Sequence, residues 1–172
     1  MLNQIKEKNK DNNKLEELGY ILKNKNTKNE ISFIFKNEND YNNEIKLFNE
    51  NSNVKRNDVE IFINGVKKEL NYSGKIYLPF KGLYYVKLIF NKEIKNCEGL
   101  FNGCDFLFID LSFFDTKNVT NMKNMFSYCK NLVNVDLSSL NTQNVTNMES
   151  MFYYCQNLVN VDLSFLNTQN VI

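Results

Sequence analysis

Two columns of side chains in this sequence have the types and spacing to do chemistry. The first is sulphur. Of Cys97, Cys104, Cys129 and Cys155, the last three recur at one position of a repeating pattern. A zinc site needs close pairs such as CxxC, and the sequence has none. A nucleophilic thiol needs an exposed, electropositive setting. Stacked neighbours would come near enough for a disulfide; the competing reading is buried, reduced thiols that act as small apolar groups. The second column is acidic: Asp110, Asp136 and Asp162. At ~4.8 Å spacing, two exposed carboxylates repel by about 1 kcal/mol in water and ~3.5 kcal/mol at an effective dielectric of 20. Such a strip would hold a cation or a basic partner; otherwise its carboxylates are solvated or bonded to local turns.

Other catalytic equipment is missing. There is no histidine, the usual general base near neutral pH. The sequence contains no GxxxxGK[ST], GxGxxG or HExxH. The chain therefore reads as a protein that is not an enzyme and needs no metal or cofactor.

What positions both columns is an internal repeat. NVTNMKNMFSYCKNLVNVDLSSLNTQ, beginning at Asn118, is followed 26 positions later by NVTNMESMFYYCQNLVNVDLSFLNTQ. In the first half of the unit, Met148, Met151, Phe152 and Cys155 fall at i, i+3, i+4 and i+7, one stripe of an α-helix. Thr146 and Glu149 have capping-box spacing at its start. In the second half Val161 and Leu163 alternate with Asn160, Asp162 and Ser164, the period of a half-buried strand. Successive strands are expected to stack in parallel, which sets the aspartates in a row facing outward and the cysteines inward. One unit cannot bury its own apolar face, so the units need one another and the ends of the stack need covers.

The runs NVTNMxxMFxxCxxL at 118–132 and 144–158, with VDLSSLNT at 135–142 and VDLSFLNT at 161–168, resemble the BspA-like leucine-rich repeats, the 26-residue repeat of bacterial surface proteins. The resemblance covers roughly 95–172. It implies a right-handed leucine-rich solenoid used for binding, with no catalysis, and it makes a cell-surface or adhesin-type setting an alternative.

The rest of the chain differs. Residues 1–29 are a polar tail with a helical pattern at 11–23. Residues 30–90 contain short runs rich in Ile, Phe, Tyr and Val (30–36, 44–48, 58–63, 67–70, 75–80 and 83–90), separated by polar turns. Asn64-Gly65 marks a type I′ hairpin. These features predict a small, mostly antiparallel β-domain that caps the repeats of 91–172, giving an α+β protein. The last run, 83–90, has the LxxVxL spacing of the repeat. It is expected to pair in parallel with 109–111, placing Lys87 at the head of the aspartate row. Cys97, Leu100, Phe101 and Cys104 then form an irregular first repeat, with Phe106 in the slot of Leu132.

A net charge of +1 gives no general pull toward nucleic acid or a membrane. No stretch approaches ~20 apolar residues, so no membrane span is expected. MLNQIKEKNKDNNK lacks an apolar core, so no signal peptide is recognised and an intracellular setting is the default. Asn71, Asn118 and Asn144 sit in N-x-S/T sequons, where no glycosylation is expected without a secretion signal. The expected function is a noncatalytic protein–protein interaction module, with a structural or assembly subunit as the second class. Binding is assigned to the strand face (Lys87, Asp110, Asn134, Asp136, Ser138, Asn160, Asp162, Ser164) or to the C-terminal edge. At that edge Leu158, Val161, Leu163, Leu166 and Val171 would be partly exposed to a protein partner or a second copy.

Overall fold

A computed structural model describes residues 29–38, 43–49, 52–69, 75–159 and 161–172. The helical pattern at 11–23 lies outside them, as does Asn160. The strands are β1 (Glu30–Asn37), β2 (Asn43–Lys46), β3 (Val59–Ile63), β4 (Val66–Lys68), β5 (Lys75–Leu78), β6 (Gly82–Phe90), β7 (Phe106–Phe113) and β8 (Asn134–Val135).

The six-stranded sheet has the order β4-β3-β6-β1-β7-β8, and β2 and β5 form a separate antiparallel pair. The sequence of β1, EISFIFKN, accounts for its place. Seven of its eight residues are buried, so it must be covered on both faces and both edges. It runs antiparallel to β6 on one side and to β7 on the other. Phe33, Phe35, Phe101 and Phe106 meet beneath it with ring centroids 5.4 to 6.3 Å apart. The expected hairpin is present: Asn64 and Gly65 both have positive φ and join β3 to β4. Sheet and core run without a break through the expected boundary at 90/91, because β1 pairs with a strand on each side of it.

Beyond β7 the chain makes coils stacked in register. Asn96, Asn121 and Asn147 are bridged in parallel, so the coils begin at 96, 121 and 147. β7 and β8 pair in parallel, with Phe108 opposite Asn134 and Ile109 opposite Val135. That register sets Phe106 over Leu132, as the spacing predicts. Between the coils run aromatic rings: Phe101 stacks on Phe126 at 5.7 Å, and Phe126 on Phe152 at 5.4 Å with only 6° between the planes.

Two expectations fail here. The first is the fold class. Among the described residues there is no α-helix, only a single 3₁₀ turn at Arg56–Asp58. Over the described residues the protein is nearly all-β, with a mostly antiparallel mixed sheet, and not an α+β solenoid with short helices. The segment expected as a helix is a chain of tight turns. Each coil places two residues four apart in the left-handed region: Gly99 and Gly103, then Asn124 and Tyr128, then Ser150 and Tyr154. Positive φ at every fourth residue breaks a right-handed helix. It nevertheless returns Met122, Met125, Phe126 and Cys129 to the interior, all fully buried. Thr146 and Glu149 accordingly form no capping box. The Thr146 hydroxyl donates to Thr120 O of the preceding coil at 3.2 Å, and Glu149 pairs with Lys123 at 2.6 Å.

The second correction concerns β6, which does not pair with β7. The doubly buried β1 lies between them, antiparallel to both. Lys87 therefore sits two strands from Asp110, with Ser32 opposite each of them.

Candidate functional site

The aspartate row is real as geometry. Pairing of β7 with β8 sets Asp110 beside Asp136, and Asp162 occupies the same place in the third coil. Asp136 and Asp162 are exposed, and Asp110 is half-buried. Each carboxylate has a local task. Its Oδ1 accepts the backbone N–H two residues on: Ser112, Ser138 and Ser164 all donate at 2.9 Å. This is the Asx-turn preference of aspartate, and it bends the chain as the strand segment ends. The hydroxyl of Ser164, and then its amide, hold the Asp162 carboxyl below the usual carboxylate range. Asn134 is exposed on β8. Lys87 is engaged elsewhere: its ammonium pairs with the carboxylate of Glu30, which is almost wholly buried. The structure thus brings Asp110, Asp136, Asn134, Ser138, Asp162 and Ser164 to one face and turns Lys87 to a structural ion pair.

The cysteines face inward. All four are free thiols; Cys97, Cys104 and Cys129 are buried and Cys155 is half-buried. The Cys129 thiol donates to Phe101 O at 3.1 Å and the Cys155 thiol to Phe126 O at 3.0 Å, each reaching back one coil. Burial pushes Cys97 and Cys129 up to about 12 and Cys104 well above its ordinary value. Burial keeps these three thiols protonated and away from solvent, which disfavours nucleophilic attack at physiological pH. Among the described residues no three His, Cys, Asp or Glu side chains are grouped to hold a metal.

The hydrogen bonds between coils have a direction, which the sequence reading missed. In the turn half, amides two residues apart donate forward to the next coil. Cys97, Gly99, Phe101 and Gly103 donate to Asn121, Lys123, Met125 and Ser127 O at 2.8 to 2.9 Å. Met122, Asn124, Phe126 and Tyr128 donate to Asn147, Glu149, Met151 and Tyr153 O at 2.7 to 2.9 Å. The next members of that series are Met148, Ser150, Phe152 and Tyr154. Among the described residues their amides have no acceptor.

The two ends of the stack differ for this reason. The near side of the first coil is a row of carbonyls, and the β-domain covers it with donors: Asn49 N–H on Leu100 O at 2.8 Å and Lys46 Nζ on Asn102 O at 2.6 Å. The far side of the third coil is a row of donors set in apolar surface. Leu137 is 1% exposed, whereas its counterpart Leu163 is 55% exposed. Val135, Leu140 and Val145 are buried, and their counterparts Val161, Leu166 and Val171 are only half-buried.

A tyrosine cluster lies at the rim of that side. Tyr128, Tyr153 and Tyr154 are exposed, with ring centroids 5.4 to 6.0 Å apart, and the Lys130 ammonium sits 5.8 Å from the Tyr154 ring. Tyr128 and Tyr154 both occupy the left-handed slot that the first coil fills with Gly103. A non-glycine residue there is disfavoured by about 1–2 kcal/mol. The sequence signal is the recurring YC and YYC. A separate groove of about 540 Å³ between β4 and β5 is lined by Val66, Tyr77, Pro79 and Tyr84. Two of its polar members are already engaged, Asn64 by Tyr85 N–H and Lys75 by Glu44.

No helix of the described residues is long and apolar enough to cross a membrane. A family model described as "Mycoplasma protein of unknown function, DUF285" matches residues 87–172, half of the chain. The match spans the coils and the strands that lead into them, and it carries no link to the leucine-rich repeats that the repeat resembles. No curated protein and no solved structure matches.

Proposed function

The chain belongs to this family, whose description assigns no activity, and from the geometry we propose that it is a noncatalytic protein–protein interaction module. Its contact surface is the far side of the third coil. One observation carries the reading: apolar side chains that are buried in the second coil are exposed in the third, beside four amides without acceptors. A surface that is apolar and also offers an unpaired row of backbone donors is a template for another polypeptide. The tyrosine rim suits the same role, because tyrosine supplies contact area at small entropic cost and is enriched at protein interfaces. Nucleic acid is a poor fit to this side of the molecule, where the aspartate row runs to Asp162 and the net charge is only +1.

The test is cross-linking mass spectrometry on the intact protein and on Leu163→Asp. Leu163 is exposed in the chain alone, so the variant should keep the fold's thermal midpoint while losing cross-links at 148–171. The proposal is wrong if those cross-links persist in the variant, or if the wild-type protein gives none there.

Assembly of copies is the second reading, and the structure limits its form. The first coil's carbonyl row is taken up by Lys46 and Asn49. Engagement of Leu100 O and Asn102 O disfavours head-to-tail stacking, and a same-face contact would set one row of amide donors against another. This reading is therefore the weaker one, and sedimentation should show a single chain.

A further inference from the structure

We propose that residues 11–23 lie along β1 as a short helix, on the face of the sheet opposite the core, with Leu15, Leu18 and Leu22 turned onto Ile34, Tyr85 and Phe108. The ground is a patch of buried residues that the core does not explain. Directly paired residues of neighbouring strands share a face of the sheet. Pairing sets Tyr85, Ile34 and Phe108 in one row across β6, β1 and β7. It sets Phe62, Lys87, Ser32 and Asp110 in the next row, from β3 to β7. Ile31, Phe33 and Phe35 alternate with these and join the core from the other face. On the face away from the core Glu30 is 2% exposed, Ser32 3%, Ile34 2% and Tyr85 8%, yet neither Ile34 nor Tyr85 belongs to the core cluster. Neighbouring strands close the edges of β1 but not its faces, so another element lies over these residues. They are buried within one chain, so that element is the chain's own.

Burial also says where the cover lies. It is deepest on β1 and falls away sideways. Phe62 on β3, Ile89 on β6, and Phe108 and Asp110 on β7 are half-buried, and Asn134 on β8 is exposed. It stops lengthwise as well, because Lys36, on the same face of β1, is exposed. The buried patch from Glu30 to Ile34 is therefore ~14 Å long and about two strands wide. That is the footprint of one short helix, ~10 Å across, whose stripe from Leu15 to Leu22 runs ~10 Å. The patch also begins where residues 11–23 would arrive. Asn29 has a left-handed φ of 66°, which turns the chain out of the sheet just before β1. Its side-chain amide donates to Lys92 O at 2.9 Å, and its Oδ1 is buried with no partner among the described residues. The five polar residues 24–28 are an ordinary length for the return. Other stretches outside the described residues join from the wrong places. Residues 39–42 follow β1 beyond the exposed Lys36. Residues 70–74 follow the edge strand β4, and a cover from there would bury Phe62 on β3 before Ile34 on β1. Residues 50 and 51 are spanned by the bond from Ser52 N–H to Asn49 O, beside Leu100 in the core. With this cover in place Lys87 and Asp110 are withdrawn, and the strand face open to a partner starts at Asn134 and Asp136.

Two measurements on the full chain test this. In the first, Leu18→benzoylphenylalanine carries a photo-reactive group, and the protein is irradiated as a mixture of isotopically labelled and unlabelled chains. The group should insert at Ile34, Tyr85 or Phe108 of its own chain. Insertion only elsewhere, or only into another chain, overturns the proposal. In the second, tyrosines are nitrated with tetranitromethane and mapped by mass spectrometry. The exposed Tyr77 and Tyr154 should react early in the wild-type protein, and Tyr85 late. Leu18→Asp should speed the labelling of Tyr85 by about tenfold or more, through opening of the cover alone. Glu17→Ala, on the opposite side of the helical pattern, should leave it unchanged. Tyr85 reacting equally slowly in a Leu18→Asp chain that still melts cooperatively overturns the proposal, as does Tyr85 reacting as fast as Tyr77 in the wild type. Where Leu18→Asp does not fold, the insertion site of the photo-reactive group decides.

Discussion

Replacing Lys87 by methionine should destabilise the protein more than any other surface-reaching substitution in the sheet. Lys87 lies in β6 with its side chain 14% exposed, and Glu30 in β1 has a side chain 2% exposed. Deleting the ammonium leaves a carboxylate with almost no access to water. Breaking one half of a buried pair costs about 3–5 kcal/mol, a large share of the 5–15 kcal/mol by which domains are typically stable. For a chain of this size each kcal/mol shifts the thermal midpoint by roughly 2–4 °C, so Lys87→Met should melt about 6–20 °C lower. Glu30→Gln should cost less, about 1–2 kcal/mol. Lys87 keeps some water, and Asp110 lies in the same cross-strand row beyond Ser32. The double variant Glu30→Leu/Lys87→Met should return to within about 1 kcal/mol of wild type, since two apolar groups desolvate no charge. Urea denaturation followed by circular dichroism gives all three values. Equal single losses that add in the double variant would refute the pair and restore Lys87 to the aspartate row.

The other predictions concern the coils. Phe126→Ala removes a wholly buried ring stacked on both faces and should cost about 3–5 kcal/mol; Phe152→Ala, stacked on one face, should cost clearly less in the same urea assay. Thr142→Val strips two bonds to Asn167 and should cost about 1–3 kcal/mol, whereas Thr168→Val should stay within about 0.5 kcal/mol. Gly103→Ala puts a Cβ on a residue at φ 68° and should cost about 1 kcal/mol, although nothing crowds the Cβ closer than 3.6 Å. The buried thiols give a pH dependence. Cys97 and Cys129 are raised to about 12 in the fold and ionise near their ordinary value when unfolded, so the folded state holds more protons between those limits. Their contribution is therefore fully present below pH ~8.5 and is lost as pH rises toward 12, and at pH 8 an alkylating reagent should label Cys155 well before the other three.

Much of this was legible because burial follows residue type. The strands at 30–36, 44–48, 58–63, 75–80 and 83–90, the Asn64-Gly65 hairpin, the inward cysteines and the outward aspartates all follow from alternation, β-propensity and turn chemistry. The helices were misread because the pattern i, i+3, i+4, i+7 does not belong to helices alone. A run of four-residue turns brings the same positions inward. The contrary signal was in the first coil, CEGLFNGC, where Gly99 and Gly103 stand four apart inside the supposed helix. Two glycines at that spacing ask for left-handed backbone, and their replacement by Asn124 and Tyr128 later in the chain hid the request. The place of β1 was illegible for another reason. Lys87 and Asp110 share a spacing pattern, but only the burial of seven of the eight residues of EISFIFKN decides that a strand distant in sequence lies between them. The aspartate row was visible, while its bonding to Ser112, Ser138 and Ser164 needed the turn geometry.

The polarity of the stack explains why its two ends are finished differently. Each coil spends half of its turn amides on itself: Met125, Ser127 and Cys129 donate to Met122, Asn124 and Phe126 O. In the turn half the remaining amides point forward and the carbonyls back, whereas Thr120, Val133, Thr146 and Val159 donate back to the preceding coil. A cover for the first coil must therefore bring donors, and the β-domain brings an amide and a lysine. A cover for the turn half of the last coil must bring acceptors, and a donor-bearing segment of the kind that serves at the first end would leave four amides buried without partners. Each such group costs about 1–3 kcal/mol. The turn halves of the first and third coils thus ask for opposite hydrogen-bonding groups in whatever packs against them.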